Sequence, residues 1–256
     1  MSKRIGTKTG WLLVAALSLG ITGYVAHAAH DDDLAENGGE DIDLEEARVF
    51  IVWNATDTDL GMHLFWDGEP WKGMRVDNPA GDEVLEVEAR ANLKVQGMKE
   101  GSFESAEPKA AELTMQEFFL RHPEGVYEFE GRTQKGDELD GEAEFTHVLP
   151  APPRNLSPAA GDVVSRNGFT ARFDLVAKDT RGKAIQVAYY EVFLEKEDDD
   201  AFPRSFSVTL PPTRNAVAIP AAFLEPNTRY TVDVVVHAQS GNRTIVESGV
   251  FKTDGE

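Results

Sequence analysis

The chain has 256 residues, room for one large or two ordinary domains, with 41% hydrophobic residues and no cysteine. The missing cysteine excludes disulfides, thiolate zinc sites, cysteine nucleophiles and a lipid anchor through an N-terminal cysteine. A formal charge of −20, from 45 acidic against 25 basic side chains, repels phosphate backbones and anionic membranes, so no nucleic-acid partner is expected; the surface suits cations or basic partners.

Residues 1–28 carry Lys3, Arg4 and Lys8, then the apolar run Trp11–Val25, then Ala26-His27-Ala28. The apolar run has about 15 residues where a bilayer span needs about 20, and the small-x-small triplet fits signal cleavage before Ala29. The chain is therefore expected to be exported, to the periplasm or the outside of the cell, with no membrane span after cleavage. Residues 29–46 are expected to be an acidic, disordered spacer, because Asp31–Glu46 holds nine acids and no base.

Residues 47–149 read as a first β-rich domain. Arg48–Asn54 (RVFIVWN), Met62–Trp66, Trp71–Val76 and Glu83–Ala91 are strand-like, with polar turns at Asn54–Gly61, Asp67–Pro70 and Asn78–Gly81. Thr114–Arg121 is expected to be one short helix, opened by a Thr114/Glu117 capping box and closed by Pro123. Gly125–Thr133 and Glu138–Leu149 form a hairpin around Gln134–Asp137. Ala55–Gly61 (ATDTDLG) resembles the Ala-x-Asp-x-Asp-x-Gly element of cadherin repeats, which implies calcium on Asp57 and Asp59. Two carboxylates cannot alone fill a shell of six to eight oxygens, and an ordinary Asp-rich turn accounts for the residues without an ion. An EF-hand loop starting at Asp57 would need Glu where Gly68 stands. Phe65, Trp66 and Trp71 bracket Asp67–Pro70. As a platform, Trp66 and Trp71 would stack on sugar rings; otherwise they are core.

Leu149–Pro153 (LPAPP) is the expected boundary, stiff enough to hold the two domains in a fixed relation. Residues 150–256 form the second domain. Phe169, Ala171, Phe173 and Leu175 supply one strand, and Ile185, Val187, Tyr189 or Tyr190, Val192 and Leu194 the next. Phe206 and Val208 follow, then Val217 and Ile219. The strongest signal is Ile219–Ala238. Leu224, Pro226, Thr228 and Tyr230 give Leu-x-Pro-x-Thr-x-Tyr, and Tyr230, Val232, Val234 and Val236 then alternate with period 2. A tyrosine at such a strand entrance can return its hydroxyl to the preceding turn, as in the tyrosine corner of Greek-key sandwiches. The segment resembles the E–F corner of a fibronectin type III domain, with Leu224 and Tyr230 as its structural corner, Ser240–Asn242 as the next turn and Val246–Thr253 as the last strand. Phe173 stands where that family usually carries a tryptophan, and there is no Arg-Gly-Asp triplet.

The fold expected is mainly β: two β-sandwich domains, immunoglobulin-like and Greek key, the first with one short helix. The histidines show no i, i+4 pairing and no His-Glu-x-x-His, so no zinc signature is present. Neither a Gly-x-Ser-x-Gly element nor a phosphate loop occurs. These readings point to a non-catalytic exported interaction or adhesion-type module that binds a protein or cell-surface partner. The alternative is a carbohydrate-binding accessory protein that uses the aromatic turn Phe65–Trp71 on a glycan. Calcium is the one cofactor in view.

Overall fold

The computed structural model describes residues 39–197 and 204–255. The leader (residues 1–28), the cleavage site and the first part of the acidic run lie outside them. The described residues belong to one compact unit, and it is mainly β.

The acidic run is a first correction. Instead of a spacer throughout, its end is ordered: β1 (Asp41–Asp43) pairs in parallel with β7 (Glu138–Phe145). The cause is the two apolar residues among the acids. Ile42 and Leu44 pack against the core, and Leu44 fills space that Gly68 and Gly141 leave open. The Leu44 N–H also donates to the Asp140 carbonyl.

β2 (Glu46–Asn54) runs antiparallel to β3 (Asp59–Asp77). β3 is a second correction. The expected turn at Asp67–Pro70 is absent, and one 19-residue strand passes through it. Up to Asp67 it pairs with β2 and β5 (Met98–Glu104), the β5 pairing resuming once at Trp71 opposite Met98; from Trp71 it pairs with β6 (Gly125–Thr133), and from Gly73 also with β4 (Glu83–Glu88). The register shifts between Asp67 and Trp71. Pro70, which has no N–H for a ladder, sits in that irregular stretch, where a strand tolerates it. The bent strand thus belongs to two layers, β2–β3–β5 and β4–β3–β6–β7. Val49, Ile51, Met62, Trp66 and Trp71 meet Tyr127, Phe129, Leu139 and Phe145 between them.

Two short helices accompany this layer pair, where one was expected. α1 (Ala91–Gln96) buries nothing and has no side-chain cap, so the sequence carries no start signal for it. α2 (Met115–Arg121) has the expected capping box and buries Phe118.

The second half is a sandwich. β8 (Val163–Val164) and β9 (Gly168–Arg172) precede β10 (Val187–Lys196) and β11 (Arg204–Leu210); β12 (Ala216–Pro220), β13 (Arg229–Ala238), β14 (Arg243–Glu247) and β15 (Phe251–Thr253) follow. β9 pairs with β12, while β11–β10–β13 continues into β14 and β15. Ala171, Phe173 and Ile219 meet Tyr190, Val192, Val232 and Val234 between the sheets. Of the two tyrosines offered for β10, Tyr190 is the buried one; Leu175, expected in the core, is exposed. The expected last strand is two strands, interrupted at Ser248-Gly249-Val250.

A parallel pairing of β2 with β14 joins the halves, with Val52 opposite Arg243 and Asn54 opposite Ile245. The linker is held as well. Thr244 Oγ1 donates to the Pro150 carbonyl at 2.7 Å, and the Ala151 N–H donates to Lys178 O at 2.9 Å.

Candidate functional site

The turn from β2 to β3 is closed by Asn54, whose Oδ1 accepts from the Thr56 and Asp57 N–H groups. Its Nδ2 donates to the Asp57 carboxylate at 3.2 Å, so Asp57 is exposed and engaged within its own turn. Thr58 takes positive φ, 62°, and Asp59 then opens β3. The two aspartates still act on one another: burial, then the charge of Asp57, raises the Asp59 pKa above the ordinary carboxylate range.

Asp59 faces a second set of acids that the sequence reading did not connect to it. The chain after β5 runs back along β3. Ser105 N–H donates to Met62 O, Ala110 N–H donates to Thr58 O, and Asp59 bridges Lys109. This ladder places Glu104 opposite His63 and brings Glu107 over Gly61. The glycine lets Glu107 lie close: a Cβ at position 61 would stand 2.8 Å from Glu107 Cγ and push that side chain aside. One ligand atom from each of His63, Glu104 and Glu107 lies within 4.8 Å of the others.

The electrostatics follow from this crowding. Partial burial first, then Glu104 and Asp59, push the Glu107 pKa up to about 7. His63 moves the other way, to about 4, chiefly through burial and then through the Arg243 guanidinium. Its imidazole is neutral at physiological pH and stacks on Phe50 with centroids 5.1 Å apart. Arg243 lies over the other ring of that pair, 4.4 Å from the Phe50 centroid. His63 Nε2 is buried and has no hydrogen-bond partner.

The aromatic platform is corrected. Trp66 and Trp71 are 0% and 1% exposed. Trp66 is stacked on Phe103 and covered by Gly101, and the Trp71 Nε1–H donates to Lys99 O at 3.1 Å. Neither ring has a free face for a sugar.

The corner residues lie as the motif requires. Tyr230 is fully buried and its hydroxyl accepts from the Glu225 N–H at 2.9 Å; Leu224 is buried in the same cluster. The sequence reading treated Asn242 only as part of a turn, yet it is the central contact of the junction. Its Oδ1 accepts from Ile51 N–H at 2.8 Å, and its Nδ2 donates to Thr146 O at 2.7 Å and Val148 O at 3.0 Å. Beside the junction lies an open cleft of about 580 Å³. Trp53, Pro152, Pro153, Leu175 and Lys178 are among its walls.

No family model matches the chain, and no curated protein is similar to it in sequence. Among solved structures it is similar to the FN1–FN3 domains of chicken CNTN1, at 12% identity and a TM-score of 0.40; the match covers 84% of this chain and 65% of that structure. It is also similar to fibronectin(III)-like modules of Clostridium thermocellum CbhA, at 9% identity and a TM-score of 0.33, over 85% of this chain and 90% of the other. The mainly β arrangement rests on the strands themselves, and no argument is drawn from these likenesses. No helix among the described residues is long and apolar enough to cross a membrane.

Proposed function

We propose that the chain is an exported, non-catalytic interaction module that binds a protein or cell-surface partner. The observation that supports this reading is the junction. β2–β14 pairing, Asn242 and the hydrogen-bonded linker hold two sandwiches in one orientation, which presents a composite surface without an ordering cost on binding. The cleft beside it offers an aromatic ring, prolines and the exposed Leu175 together with charged groups, a mixture suited to a polypeptide. Export rests on the basic, apolar and small-residue order of residues 1–28.

The test places a photo-crosslinking residue at position 175 in the native cells and, as control, at position 95 on α1, where Val95 is 82% exposed. One discrete adduct from position 175 and none from position 95 is the expected result. Adducts from position 95 alone, or from neither, contradict the reading. N-terminal sequencing of the exported protein should return a start near Ala29; a start at Met1 or Ser2 removes the claim that the leader is cleaved.

A further inference from the structure

We propose that His63, Glu104 and Glu107 form a binding site for a divalent transition-metal ion of the zinc class. Three observations on the described residues lead there. The three side chains come from different parts of the chain, β3, β5 and the segment after it, and converge to within 4.8 Å. The imidazole nitrogen Nε2 is buried without a partner, a state that costs free energy unless something accepts or ligates it. Asp59 lies alongside Glu104 and Glu107, and the cations near the cluster are Lys109, paired with Asp59 across the ladder, and Arg243, beyond the ring of Phe50 on which His63 stacks.

The donor set selects the ion. One neutral imidazole nitrogen with two carboxylate oxygens suits zinc and its neighbours; calcium and magnesium prefer shells built from oxygen alone. Around tetrahedral zinc, with bonds of about 2.0–2.2 Å, ligand atoms stand about 3.4 Å apart. Glu104 and Glu107 are exposed, so closure to that spacing falls to them, while His63 is held by its stack on Phe50 and by its place in β3. Gly61 keeps the approach of Glu107 open. The three ligands leave a fourth position for water or for Asp59. Asp57 lies outside this ligand set: its carboxylate accepts from Asn54 Nδ2 within the turn.

The experiment uses the full chain stripped with chelator. Zinc is titrated by calorimetry, and cobalt is followed by its visible absorption, which reports a low-coordinate site with nitrogen ligation. One equivalent of each should bind, and millimolar calcium or magnesium should not compete. Glu107→Gln and His63→Gln should each weaken zinc by at least about tenfold, the loss that even outer-shell changes cause. Asp57→Asn should leave it unchanged. Glu107 lies at the surface, so its variant tests the site even where His63→Gln disturbs folding. Zinc binding that survives Glu107→Gln and Glu104→Gln is adventitious binding by an acidic surface and overturns the proposal, as does equal competition by calcium.

Discussion

Asn242 offers the sharpest test of how the two halves are held. Its side chain is 1% exposed and serves three backbone groups: the Ile51 N–H of β2, and the Thr146 and Val148 carbonyls at the end of the first half. Asn242→Ala removes all three bonds. A buried N–H left without an acceptor costs about 1–3 kcal/mol, and each carbonyl bond lost about 1 kcal/mol more, so the variant should be about 3–5 kcal/mol less stable. Asn242→Asp separates the roles. It keeps an acceptor for Ile51 but places a carboxylate oxygen against two carbonyls, so at neutral pH it should be at least as destabilising. Acid should restore part of the loss, because a protonated carboxyl can donate to one carbonyl. Equilibrium denaturation of the full chain at pH 7 and pH 4 reads both effects. An alanine variant within about 1 kcal/mol of wild type would falsify the claim that this amide holds the junction.

The other predictions concern the two cores and the acidic edge. Gly101→Ala drives a methyl into the Trp66 ring and should cost about 1–3 kcal/mol or more by overpacking, read as a lower denaturant midpoint; an unchanged midpoint would mean Trp66 is not packed there. Tyr230→Phe removes the acceptor of the Glu225 N–H and should cost about 1–3 kcal/mol, and Leu224→Ala should cost about 2–5 kcal/mol through the cavity it leaves. Asp140 lies between Asp41, Asp43, Glu130 and Glu138, and burial with these charges raises its pKa. Its protonated form is therefore favoured by folding: the stability it contributes is present below the ordinary carboxylate range and is lost as pH rises through the raised value. Asp140→Asn should thus raise the denaturant midpoint at pH 7, with the gain closing at pH 4; a gain equal at both values would place the effect elsewhere.

What could be read in the sequence was local. The α2 capping box and the Leu224–Tyr230 corner each involve residues a few positions apart, and both stand in the structure as the spacing implied. β13 departs from its period-2 pattern: Thr231, Asp233, Val235 and His237 are buried along with Tyr230, Val232, Val234 and Val236, because both faces of this strand are covered. What could not be read depends on contacts between distant segments. Asp67-Gly68-Glu69-Pro70 has the composition of a turn, yet pairing with β5 on one side and β6 on the other carries β3 through it. Leu44 orders the end of the acidic run through a slot that Gly68 and Gly141 supply, and both glycines lie far from it in the chain. The cluster shows the same division. Asp59 was singled out with its neighbour Asp57, whereas its consequential partners are Glu107, Glu104 and His63, which a return of the chain along β3 brings together. The histidines were compared with one another for spacing, and the group that His63 meets is carboxylate.

The central claim is that both sandwiches behave as one unit because β2 and β14 are joined. Native-state hydrogen exchange on the full chain tests it directly. The Ala55 amide, which donates to Ile245 O at 2.9 Å, and the Ile51 amide, which donates to Asn242, report the junction, while Val234 and Phe129 report the two cores. If the halves open together, the Ile51 amide should be as strongly protected as the core amides, and Asn242→Ala should lower its protection first. An Ile51 amide that exchanges far faster than both cores in the wild-type chain, with the cores opening at separate free energies, would contradict the claim.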